Sequence, residues 1–179
     1  AELPAPGLSQ FGGHLGGSAT ASSRIISIGR PVGGRRTRAA RRLVCHTDAR
    51  SGKVADLEGG AVAEWLFYDP RGHVQIRARG TTRLHAADDV ARERWATSRE
   101  GSRKCYRTPG APGTPIGVDA PPARRDLEAH GDPDSGFERF VVVATTVDRI
   151  DWLYLRSAGH LRARFEWDGA GFAGSWIEP

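Results

Sequence analysis

Residues 62–84 run Val62-Ala63-Glu64-Trp65-Leu66-Phe67-Tyr68, then Asp69-Pro70-Arg71-Gly72, then His73-Val74-Gln75-Ile76-Arg77-Ala78-Arg79 and on to Leu84. In the second run Val74, Ile76 and Ala78 alternate with His73, Gln75, Arg77 and Arg79, the period of a strand with one apolar face. The first run is rich in aromatics, which strands favour, and Asp-Pro-Arg-Gly between them is turn chemistry. Together they predict an antiparallel hairpin. Downstream, Phe137–Leu155 reads as a strand with the apolar run Phe140–Val143. Leu161–Trp167, the turn Asp168-Gly169 and Phe172–Ile177 read as a closing hairpin. Upstream, Leu43–Thr47 reads as a strand leading into a helix capped by Ser51, with Val54 and Leu57 toward the core. Ala86–Thr97 reads as a helix with Ala87, Val90, Ala91 and Trp95 on one face, and Asp88 and Asp89 as caps. Mostly strands with two helices inserted predicts a mainly β (α+β) fold, an antiparallel barrel with peripheral helices.

Beyond this frame the chain is irregular. Residues 1–23 are rich in Gly, Ala, Ser and Pro and read as a loose leader. Arg24–Ile28 reads as a short strand, and Val32–Arg42 fits neither strand nor helix. Thr108–Gly136, rich in Pro and Gly, reads as a long surface loop. The expected division is a poorly structured or degenerate segment 1–42 and a folded domain 43–179. The 179 residues suffice for one compact domain. Five Trp, six Phe and three Tyr argue against a disordered chain. The absence of Met points to a fragment or a processed start.

The net charge of +5 is local: residues 1–50 carry eight Arg against Glu2 and Asp48, and the rest of the chain nets −1. The basic stretch 30–50 has no aromatic residues to stack bases, which argues against nucleic-acid binding. No apolar run reaches the roughly 20 residues of a membrane span. Cys45 and Cys105 read as reduced thiols of a cytoplasmic protein. The six His are scattered without ligand spacing, so no metal is expected. Nucleophile-elbow, phosphate-loop and dinucleotide fingerprints are missing, and no catalytic residue stands out.

Three groups of residues can carry binding chemistry. His46-Thr47-Asp48-Ala49-Arg50-Ser51-Gly52-Lys53 joins a strand end to a helix start, where hydroxyls and cations suit a phosphate. Gln75, Arg77 and Arg79 form the polar face of one strand, either solvated or turned to a ligand. Trp152, Arg162 and Arg164 put an aromatic near two alternate Arg, either core and surface or the wall of a ligand site.

In this order the segments resemble the FMN-binding split barrel of the pyridoxamine 5'-phosphate oxidase family. The likeness runs over about residues 43–179. Position by position it implies that Thr47, Ser51 and Lys53 hold the FMN phosphate. The family's Arg before the Lys is Gly52 here, so that contact is either lost or handed to Arg50. Leu66-Phe67-Tyr68 with Val74-Gln75-Ile76-Arg77 and Gly80 resembles the family hairpin, which implies Gln75 and Arg77 beside the flavin. Trp95, Ser98, Arg99, Ser102 and Tyr106 fall where the family has an aromatic-then-Ser-Arg helix and loop. Asp151-Trp152-Leu153-Tyr154 and Arg162-Ala163-Arg164-Phe165 resemble later segments, implying Trp152 and Arg164 at the flavin from a partner chain. His160 and Arg162 fall near the substrate-phosphate positions. The resemblance implies a homodimer with FMN at the subunit interface, acting as an oxidoreductase on a small substrate. The alternatives are a non-enzymatic flavin, deazaflavin or haem binder, or an inactive paralogue. A second strand that the family carries before its His-Thr-Asp segment is missing, with Val32–Arg42 in its place. Arg35, Arg36 or Arg38 are the residues left there to supply its charge. The family's C-terminal Arg is also absent from Trp176-Ile177-Glu178-Pro179.

Overall fold

The computed structural model describes residues 41–115, 132 and 134–179 in full, together with the backbone of the strand segments 16–21 and 24–28. Eight strands form one antiparallel sheet: β1 (Gly16–Ala21), β2 (Arg24–Ile28), β3 (Arg42–Asp48), β4 (Val62–Asp69), β5 (Val74–Ala86), β6 (Phe140–Tyr154), β7 (Leu161–Trp167) and β8 (Phe172–Ile177). The order is β2-β1-β4-β5-β6-β7-β8, with β3 also paired to β6. Three short helices, α1 (Gly52–Leu57), α2 (Asp89–Thr97) and α3 (Glu100–Arg103), lie among them. The fold is a mainly β, antiparallel split barrel with peripheral helices.

The split occurs along β6. One edge of β6 pairs with β5 throughout. Its other edge is shared, with β3 along Phe140–Thr146 and β7 along Arg149–Tyr154. Where the two arms part, the register of β5 on β6 shifts between Arg79 and Gly80. Such a bulge bends a strand and increases its twist. Glycine is required there, because a Cβ on Gly80 would stand 2.0 Å from the Thr146 carbonyl oxygen and 2.8 Å from the Val147 Cα.

The barrel interior holds Leu57, Ala63, Trp65, Ala78, Val143 and Val147. Within it the Trp65 indole N–H donates to the Thr145 hydroxyl at 2.8 Å, and that hydroxyl is 2.8 Å from the Thr82 hydroxyl. A second cluster, Ala91, Trp95, Phe140 and Val142, seats α2 on the opposite face of β6. Asp88 caps α2 through the Ala91 N–H. The helix starts three residues later than its apolar pattern predicts, because Ala87 has a positive φ of 55°. Val90, expected on the inner face, is exposed.

Gly16–Ala21, expected as loose leader, is a strand paired with β4. Its composition of small residues gives no alternation to read. The expected Arg24–Ile28 strand pairs with it. The missing-strand segment up to residue 40, including Arg35, Arg36 and Arg38, and the loop residues 116–131 and 133 lie outside the described residues.

Candidate functional site

The fork along β6 separates the candidate residues into two groups. The first sits where β3 ends. Leu43 and Cys45 pack on the barrel core; Thr47, next in the same alternation, is buried opposite Val141. The chain then turns, with the Ser51 N–H on the Asp48 carbonyl at 2.9 Å, and α1 begins. Ser51 stands at the N-cap, but its hydroxyl makes no capping bond.

Arg50 is bound up in this turn. Its backbone N–H and Nε both donate to Asp48 Oδ1 at 2.8 and 3.0 Å, and Nη2 donates to Asp48 Oδ2 at 2.8 Å. Nη1 donates to the carbonyls of Thr108 and Pro109 at 3.1 and 3.0 Å. Arg139 reinforces the same junction, donating to the carbonyls of Tyr106 and Thr108 at 3.2 and 2.8 Å. Burial pushes the Asp48 carboxyl up, but the hydrogen bonds from the Arg50 side chain and backbone outweigh it and hold the carboxyl below its usual range. Arg50, expected to replace a missing phosphate contact, has its donors engaged inside the protein. By contrast, no hydrogen bond or ion pair among the described residues engages the Thr47 or Ser51 hydroxyl or the Lys53 ammonium. Burial raises the Cys45 thiol to about 11, against the pull of Lys53. The lysine charge therefore acts close to this end of the barrel.

The second group lies on the outer face of the other arm. Registers place Tyr68, Gln75, Leu153, Arg162 and Ile177 in one cross-strand row. The adjacent row is Leu66, Arg77, Asp151, Arg164 and Ser175. Gln75, Arg77, Arg162 and Arg164 thus share a face, and no hydrogen bond among the described residues engages Gln75. Arg77 reaches Glu64 only at 4.0 Å. Arg162 forks onto Asp151, with Nε and Nη2 at 2.9 and 2.8 Å from its two oxygens. Arg164 Nη2 stands 3.9 Å from the same carboxylate, and its Nε is buried without an acceptor.

Trp152 does not join them. It points the other way, buried with Ala163 and Phe165, its ring 6.1 Å from Tyr154 and 6.2 Å from Trp176. The residue of that pair on the Gln75 face is Leu153. His160 stands in the exposed β6–β7 turn, where its Nδ1 accepts the Arg156 N–H at 3.2 Å. Sequence reasoning missed the roles of Asp48 and Asp151, the carboxylates that hold Arg50 and Arg162. The alternation of Asp151 with Leu153 was the available signal, but the arginine it faces is fixed by strand register.

The chemistry of the two groups fits FMN: two hydroxyls and an ammonium with no partner among the described residues suit a phosphate, and the Arg164 Nε and the Gln75 amide, likewise without a partner among them, suit the polar edge of a ring. Residues 21–86 match the family described as pyridoxamine 5'-phosphate oxidase, FMN-binding domain, a span that holds Thr47, Ser51, Lys53, Gln75 and Arg77. No curated protein matches the chain. A pyridoxamine 5'-phosphate oxidase-related, FMN binding protein from Nostoc punctiforme is structurally similar, with a TM-score of 0.66 and 21% identity over 91% of this chain and 87% of that one. PhzG from Burkholderia lata, solved with tetrahydrophenazine-1-carboxylic acid, gives 0.58 and 20% over 93% and 82%. In sequence over residues 21–86, and in fold over some nine-tenths of its length, the chain resembles the pyridoxamine 5'-phosphate oxidase-related FMN-binding split barrels.

Proposed function

We propose that this chain binds FMN between two copies of itself and works as a flavin-dependent oxidoreductase on a small substrate. The observation that carries the reading is the cluster of Thr47, Ser51 and Lys53. These donors have no partner among the described residues and lie in the span that matches an FMN-binding domain. They would hold the FMN phosphate, with Lys53 as a point charge and the hydroxyls fixing its orientation. Arg50 is their support, locking the turn to Asp48 and to the Thr108–Pro109 carbonyls. Gln75, Arg77 and Arg164 would face the ring, with Arg162 and His160 toward the substrate. Bound FMN would supply a two-electron acceptor for a hydride from the substrate, reoxidised by oxygen or another acceptor.

Two chains are needed because one keeps the groups apart. Thr47 lies opposite Val141 and Gln75 opposite Leu153, near the two ends of β6. Along a straight strand that run is on the order of 40 Å, well beyond one flavin mononucleotide. A two-fold dimer would set the phosphate group of one chain beside the Gln75–Arg164 face of the other. In this arrangement Gln75 and Arg164 come from the same chain.

The test is titration with FMN and with riboflavin, which lacks the phosphate. Lys53→Ala should weaken FMN roughly tenfold to a hundredfold and leave riboflavin unchanged. Equal losses for both ligands would refute the phosphate assignment. Mixing Lys53→Ala with Arg164→Ala chains should restore tight sites if each site draws on both chains, and should restore none if one chain suffices.

A further inference from the structure

Asp151 is a carboxylate set among arginines on a face that resemblance alone would assign to anion recognition. Its side chain is only 13% exposed, although the face around it is open. Arg77 lies opposite it on β5 and Arg164 on β7, and Arg162 reaches it diagonally from the next row. The carboxylate oxygens take the Arg162 fork, so Arg164 stops at 3.9 Å and its Nε keeps no acceptor. A fork of this kind fixes the plane of a guanidinium as well as its place. Nη1 of Arg162 and Nε of Arg164 are left outside the pair.

We propose that Asp151 is a positioning residue: it pins Arg162, which faces the substrate, and draws in Arg164, so that Arg164 presents ordered donors to the bound FMN. The inference deepens the FMN reading and rests on it for the ligand. The arrangement of the two arginines is a property of the chain by itself.

Electrostatics makes the test a matter of sign. Removing a negative charge from among three Arg would, by charge alone, tighten an anionic ligand. Loss of positioning would loosen it. Asp151→Asn should therefore weaken FMN several-fold, and unchanged or tighter binding overturns the proposal.

A second readout needs no ligand. In nitrogen-resolved NMR of the full chain, the Nε–H signals of Arg162 and Arg164, assigned through Arg162→Lys and Arg164→Lys, should be sharp and slow to exchange. Asp151→Asn should broaden both. A sharp Arg164 signal that survives the substitution overturns the proposal. If wild-type protein binds no FMN, the cofactor reading fails, and the NMR result still decides whether Asp151 positions the arginines.

Discussion

Replacing Thr145 by Val exchanges one oxygen for one methyl at the centre of the barrel, with almost no change of shape. The oxygen is the acceptor for the Trp65 indole N–H and lies 2.8 Å from the Thr82 hydroxyl. Trp65, Thr82 and Thr145 are 1%, 1% and 0% exposed, so no water can take over. A buried polar group left without a partner costs about 1–3 kcal/mol. The Trp65 N–H is fixed by its ring and loses its only acceptor among the described residues. The Thr82 hydroxyl can rotate and recover part of its loss. The added methyl returns at most about 0.8 kcal/mol. The net cost should be about 2–3 kcal/mol, or roughly 5–10 °C in Tm for a chain of this size. Urea unfolding followed by circular dichroism measures it, with an unchanged m-value showing that only stability moved. In a Trp65→Phe background the same substitution should cost at least about 1 kcal/mol less, because no indole N–H remains to be stranded. A cost below about 0.5 kcal/mol, or an equal cost in both backgrounds, would refute the reasoning.

Gly80→Ala should destabilise by about 3 kcal/mol or more, since the new Cβ meets the β6 backbone and not a movable side chain; a near-neutral result in the same unfolding assay would mean that the bulge is not tightly packed. The His46 ring is held below its usual pKa by burial and then by Arg94. The unfolded chain therefore binds the proton more readily, so stability is full above about pH 6.5 and falls as the pH drops below it. His46→Gln should flatten that part of the stability–pH curve, and an unaltered slope would sink the assignment. Cys105 is exposed, whereas the Cys45 thiol is half-buried and raised to about 11. One thiol should react quickly with a disulfide reagent in native protein and two in denaturant; two fast thiols in the native state would contradict the burial.

Where side-chain period and turn chemistry are local, the sequence was legible. The β4–β5 hairpin is present, and β7 and β8 have the bounds their alternation predicts. Asp88 caps α2 as its position before the helix implies. Less legible were features set by partners distant in sequence. Arg50 and Arg162 look like free ligand donors in a one-dimensional reading, yet Arg50 is committed to Asp48 and the Thr108 and Pro109 carbonyls, and Arg162 is held by a fork onto Asp151 across β6 and β7. Trp152 and Leu153 differ by one position, and strand period puts them on opposite faces. The resemblance points to Trp152, whereas the register sets Leu153 beside Gln75. Gly16–Ala21 gave no apolar signal, because its small residues carry no alternation, although its backbone pairs with β4.

The most direct test of FMN binding is an absorbance spectrum of the purified protein, taken as isolated and again after incubation with FMN and desalting. The cluster of Thr47, Ser51 and Lys53 predicts retained flavin bands near ~450 nm, which would be lost in Lys53→Ala. A folded protein that remains colourless after loading would contradict the proposal that this barrel holds FMN.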